Sequence, residues 1–212
     1  KDKDVIVLFN SGGWGLKTVE MSPGWRSILG GIESELDNLG YTSVQLNYRR
    51  TNETLRGCIN EFAEAITHYP SKAKDLASRV EFLTDYLPDL RVIVAGESNG
   101  TIISDCVMST LRDNLRVYSI QTGPPFWHKS GMLDDRTLVL KSNGVSADSF
   151  SQGDIPTMLW GTVKGWLGLT GPGGNPGKIL FVLEAPGHDY SWQYPKVSSQ
   201  IVKFLDTKFG IK

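Results

Sequence analysis

Short apolar runs rich in β-branched residues alternate with segments of helical period along most of the chain, and this alternation limits the architectures open to it. Asp4–Asn10 ("DVIVLFN"), Thr42–Tyr48, Arg91–Ala95, Arg116–Gln121, Thr137–Lys141 and Lys178–Glu184 read as strands. Trp25–Leu39 carries apolar residues at helical spacing and stops before Gly40. Thr101–Arg112 follows the third strand directly, and Tyr194–Phe209 closes the chain. Thr54–Leu87 reads as two helices split at Pro70, because an interior proline lacks the N–H donor and clashes with the preceding turn. Strands covered on both faces by helices imply an α/β class: a three-layer α/β/α sandwich around a mainly parallel sheet of about six strands. No repeat, charge run or linker divides the 212 residues, so one domain over 1–212 is expected, with 154–177 as a candidate lid or cap.

Composition works mainly by exclusion. A chain that is 40% hydrophobic and 21% charged suits a globular domain with a covered core. Its net charge of −1 provides no field to attract nucleic acid. No apolar run reaches the roughly 20 residues of a transmembrane helix. Cys58 and Cys106 fall in helical segments and read as small buried hydrophobes. Neither a CxxC pair nor a Cys/His cluster is present, so no metal or cofactor is implied. The chain begins at Lys1 rather than Met, which is compatible with a removed leader or anchor; compartment and oligomeric state stay open.

Ligands of open α/β sheets gather at the carboxyl ends of the strands. "VIVAGESNGTIISD" (Val92–Asp105) puts Ser98 there, between Gly96 and Gly100, with a strand before it and a helix after it. Such a tight turn projects a serine hydroxyl into the cleft only if its neighbours carry no bulk, and the following helix adds its N-terminal dipole. A serine needs a base. Of His68, His128 and His188, only His188 in "LEAPGHDYSW" lies past the last strand, after both nucleophile and acid. An acid must orient that imidazole. Asp148, soon after Gly144, is preferred; Asp154 is the alternative, though an N-cap ahead of Ile155-Pro156 would also account for it. Oxyanion donors are expected from Asn99 N–H and from the loop "NSGGWG", where Ser11 could offer its amide or hydroxyl and Gly12 allows close approach.

The order of first strand and glycine-rich loop, GESNG turn, late Asp and late "PGHD" resembles the α/β-hydrolase superfamily over nearly the whole chain. It starts on what would be the family's third strand, as small lipases and cutinases do. The resemblance implies Ser98 as nucleophile, Asp148 as acid and His188 as base, with Ser11 and Asn99 near the oxyanion. Departures from the family pattern are Asn10-Ser11-Gly12 where many members carry His-Gly, "PPFWHKSGM" in place of a helix, and a longer step from Gly144 to Asp148.

The expected activity is hydrolysis of carboxylic esters through an acyl-enzyme intermediate, on a small-molecule ester. Thioesterase, amidase and acyltransferase chemistry share the same triad, and a non-catalytic binding module on this fold is the competing class. Trp14 and Trp127 could line a substrate pocket. Trp160 and Trp166, with Leu159 and Leu167, could meet a membrane or lipid interface, although burial against the sheet is the favoured expectation for that helix. Gly161, Gly165 and Gly168 form a smooth stripe suited to close packing. "GPGGNPG" precedes a strand rather than a helix, so it lacks the context of a phosphate loop.

Overall fold

The structure is a computed structural model, which describes residues 3–13, 15–51, 64, 67–129, 134–167, 169, 177–179 and 183–210. Five strands form one fully parallel sheet: β1 (Val5–Asn10), β2 (Ser43–Asn47), β3 (Arg91–Glu97), β4 (Val117–Thr122) and β5 (Thr137–Leu140). Their order is β2-β1-β3-β4-β5. The helices are α1 (Pro23–Asn38), α2 (Pro70–Tyr86), α3 (Asn99–Thr110), α4 (Ile155–Trp166) and α5 (Pro195–Phe209), with one further helical turn at Ser149–Gln152. The first of the two helices expected within 54–87 lies mostly outside the described residues.

Period-2 alternation sorts the strand residues between two cores. Val5, Val7, Phe9, Ile93 and Ala95 join α1 and α5 on one face. Ile6, Leu8, Val92 and Val94 join α2 and α3 on the other. In α1 the buried positions Trp25, Ile28, Leu29, Ile32 and Leu36 form a single stripe of helical spacing. Gly40 follows with φ +88°, the left-handed conformation that ends helices. Truncating a fully buried residue such as Ile93 would cost about 2–5 kcal/mol.

The sixth expected strand does not join this sheet among the described residues. Gly177–Ile179 (β6) and Leu183–Ala185 (β7) are short and pair antiparallel with each other. The Glu184 amide is instead taken by Thr162 Oγ1 of α4, at 2.9 Å. Apolarity marks such a segment for burial but does not name the partner of its backbone.

α4 also departs from expectation. Its small residues face inward: a Cβ on Gly161 would lie 3.0 Å from Pro186 Cγ, and one on Gly165 would lie 2.1 Å from Glu184 Oε1. Its tryptophans face outward, Trp160 61% and Trp166 73% exposed, while Met158 packs inward with Phe150 and Ala185. Burial of these tryptophans against the sheet is therefore overturned. Their helix packs through glycines, which bring its backbone close and leave the tryptophans on the opposite face. Gly168 and the "GPGG" of the following loop lie outside the described residues.

Candidate active site

The turn after β3 holds Ser98 at φ 50°, ψ −121°, a conformation that non-glycine residues rarely adopt. Backbone bonds fix it there: Ser98 N donates to Thr122 O at 2.9 Å, and Thr101 N donates to Ser98 O at 2.9 Å. Both flanking glycines are required by contact. A Cβ on Gly96 would lie 2.7 Å from Ser104 Oγ, and one on Gly100 would lie 2.1 Å from Asn10 O. Ser98 is 7% exposed, and its hydroxyl makes no hydrogen bond among the described residues.

Asp148 begins the helical turn Ser149–Gln152 as its N-cap and is fully buried. His188 Nδ1 lies 3.1 Å from Oδ1 and 3.0 Å from Oδ2 of this carboxylate. With the carboxylate ionised, Nδ1 must carry the proton and donate, which leaves Nε2 as the basic nitrogen. Burial by itself pushes the Asp148 carboxyl up. The His188 imidazole, the Ser151 amide and the Tyr190 hydroxyl outweigh that effect and hold it below the usual carboxylate value.

The loops that carry acid and imidazole are stitched together. Ser149 N and Oγ both donate to Pro186 O, at 3.0 and 2.9 Å. Gly187, at φ +81°, packs so tightly that a Cβ would lie 2.1 Å from Ala147 O. The imidazole rests on Gly123, where a Cβ would lie 2.5 Å from its Cε1. Gly123 directly follows Thr122, whose carbonyl receives the Ser98 amide, so one strand end fixes the Ser98 backbone and seats the His188 ring. Phe150 packs edge-on against the imidazole with ring centroids 4.8 Å apart, and Trp127 packs edge-on against Phe150 at 5.2 Å.

The loop after β1 is held by Arg50, a buried guanidinium at the end of β2. It donates to Asn10 Oδ1 and Gly13 O, each at 2.8 Å, and to Ser11 O. Asn10 Nδ2 in turn donates to Gly100 O at 3.0 Å, which ties this loop to the serine turn. Gly12 faces Ser98, where a Cβ would lie 2.9 Å from Ser98 Cβ. The Gly12 amide, however, donates to Glu97 Oε2 at 3.1 Å. The Ser11 hydroxyl is buried with no hydrogen-bond partner among the described residues. Asn99 opens α3, where first-turn amides lack helical acceptors.

Thus Ser98, Asn99, Ser11 and Gly12 gather at adjoining strand ends, and His188 pairs with Asp148. Asp154 caps α4 through Thr157 N at 3.1 Å. Trp127 is about half exposed beside Phe150 rather than in the core. Trp14 lies outside the described residues. His128 sits elsewhere, with Nε2 3.1 Å from Asp105 Oδ2. Sequence reading missed Arg50 as the loop's anchor, the Glu97–Gly12 bond, and the donors Ser151 and Tyr190 on Asp148. The serine three positions after Asp148 is a capping signal that could have revealed Ser151; nothing local singles out Tyr190.

A parallel sheet in this strand order, layered by helices on both sides and carrying a serine at the turn after its central strand, is the α/β-hydrolase fold. The structure is similar to a Trichoderma reesei cutinase in complex with a C11Y4 phosphonate inhibitor, at TM-score 0.59 and 14% identity over 99% of this chain and 78% of that one. It is also similar to a cutinase-like protein from Cryptococcus sp., at TM-score 0.53 and 15% identity over 97% of this chain and 95% of that one. An acetylxylan esterase matches at TM-score 0.52 and 13% identity, over 99% of this chain and all of the other. No family model and no curated protein matches the sequence.

Proposed function

We propose that this chain is a serine hydrolase that cleaves carboxylic esters through an acyl-enzyme intermediate. The observation that carries the reading is the His188–Asp148 pair resting on Gly123, one residue beyond the carbonyl that fixes the Ser98 amide. In this mechanism His188 Nε2 takes the Ser98 hydroxyl proton as Oγ bonds to the ester carbonyl carbon. The resulting oxyanion is held by Asn99 N–H and by the Ser11 hydroxyl or amide. The Gly12 amide is turned to Glu97, so Gly12 contributes space rather than a donor. The alcohol then leaves with the proton from Nε2. Water attacks the acyl carbon while giving its proton to Nε2, and that proton returns to Ser98 as the acid departs. Asp148 stays ionised throughout and stabilises the imidazolium.

The substrate we infer is an apolar ester, met at an interface. Ile155, Leu159, Trp160, Val163, Trp166 and Leu167 all point outward from α4. Lys164 is the helix's sole formal charge, and its Nζ sits 5.3 Å from the centre of the Trp160 ring. Thr162, Gly161 and Gly165 hold α4 against residues 184–186, which supports reading it as a platform.

A fluorophosphonate probe tests the reading. Covalent labelling of the wild type, lost in Ser98→Ala, supports a hydrolase. A folded protein that does not label is a binding module. A series of p-nitrophenyl esters of rising acyl length then reports the preferred chain.

A further inference from the structure

Asp148 accepts more hydrogen bonds than the orientation of His188 requires. Oδ1 takes the amides of Phe150 and Ser151, both at 3.0 Å. Oδ2 takes the Ser151 hydroxyl at 2.9 Å and the Tyr190 hydroxyl at 2.7 Å. The Ser151 and Phe150 donors are local, as any N-cap would supply. Tyr190 is different, because it comes from 42 residues away and is anchored independently of the acid turn. It is 6% exposed and belongs to the α1/α5 core. A Cβ on Gly24 would lie 2.1 Å from its carbonyl oxygen, and one on Gly123 would lie 3.1 Å from its ring.

We propose that Tyr190 is a positioning residue for this site: it holds Asp148 Oδ2 from the core side, fixing the carboxylate toward His188 Nδ1 and drawing off part of its negative charge. The inference rests on the proposed Ser98–His188–Asp148 reading and extends it. A donor on a carboxylate stabilises the ionised form and weakens the carboxylate's pull on a neighbouring imidazolium. Tyr190 therefore shares the Asp148 charge that faces His188 Nδ1. No proton leaves Tyr190: burial beside the Asp148 charge pushes its phenol far above the usual range. The other carboxylate next to His188, Asp189, is turned elsewhere, accepting from Asn143 Nδ2 and from the Tyr194 hydroxyl.

The test uses the full chain with Tyr190→Phe, which removes the hydroxyl and keeps the ring. With a soluble p-nitrophenyl ester, kcat should fall roughly tenfold while KM stays within about twofold. The acid limb of the kcat/KM profile should move to higher pH by about half a unit. An NMR titration of His188 in a Ser98→Ala background should show the same upward shift without relying on turnover. If Tyr190→Phe folds and leaves both the limb and the titration unchanged, Tyr190 is merely structural and the proposal is overturned. If it does not fold, 3-fluorotyrosine placed at position 190, which keeps the ring and makes the hydroxyl a stronger donor to Oδ2, decides instead: a limb shift to lower pH supports charge-sharing by Tyr190 and no shift overturns it. If turnover proved independent of Ser98, the function reading would fall, while the His188 titration would still decide the role of Tyr190.

Discussion

Gly100 lies so close to Asn10 that a single added methyl would sit 2.1 Å from the Asn10 carbonyl oxygen, and the Asn10 side-chain amide closes the same contact by donating to Gly100 O at 3.0 Å. The end of β1 and the serine turn are thereby one piece. Gly100→Ala must push them apart, at a cost of about 3 kcal/mol. Thermal unfolding should show the loss, and fluorophosphonate labelling of the remaining folded protein should be much slower than in the wild type.

Ser98 holds a strained backbone, which costs the fold stability. Glycine adopts that conformation freely, at an entropic cost of about 0.5–1 kcal/mol. Relief of strain worth about 1–3 kcal/mol exceeds it. Ser98→Gly should therefore stabilise the protein by about 1 kcal/mol in urea titration. Ser98→Ala should give no such gain, and both should lose turnover.

The depressed Asp148 carboxyl fixes a direction for acid stability. The unfolded chain binds its proton first as pH falls, so the contribution of Asp148 is complete above the ordinary carboxylate value near 4. It disappears as pH drops through the lower folded value. Asp148→Asn should flatten that part of the stability profile. It should also cut kcat by about 10⁴, since an amide no longer stabilises the imidazolium. Equilibrium unfolding from pH 7 to pH 2 and a parallel kinetic assay check both effects.

The outward tryptophans of α4 should matter at a surface and nowhere else. Trp160→Ser combined with Trp166→Ser should leave stability within about 0.5 kcal/mol, because both side chains are largely exposed. Hydrolysis of a short soluble ester should be unchanged. Binding to ester emulsions, followed by sedimentation, should fall at least about fivefold. Equal binding by variant and wild type would remove the interface from the proposal.

Strand-helix alternation made the sheet legible, because β-branched runs such as Val5–Asn10 and Arg91–Glu97 are buried on both faces and admit few other readings. The serine turn was legible for a similar reason: its two glycines answer to contacts made within a few residues or at the neighbouring strand end. What escaped was pairing at a distance. The run 178–184 is apolar enough for a strand, yet the Glu184 amide goes to Thr162. The stripe of Gly161 and Gly165 correctly signals close packing, but the direction in which Trp160 then points depends on Pro186 and Glu184, which the helix's own period does not encode. Tyr190 reaches Asp148 across 42 positions with no motif to announce it.

The stitching of Ser149 to Pro186, and of Gly187 to Ala147, has a thermal corollary. Acid and imidazole travel as one cassette clamped beneath α4, whereas the serine is bolted to the central sheet. Warming should unseat the cassette before the sheet melts, so the proposed turnover should fade at a temperature of its own, in a protein whose circular dichroism still looks native.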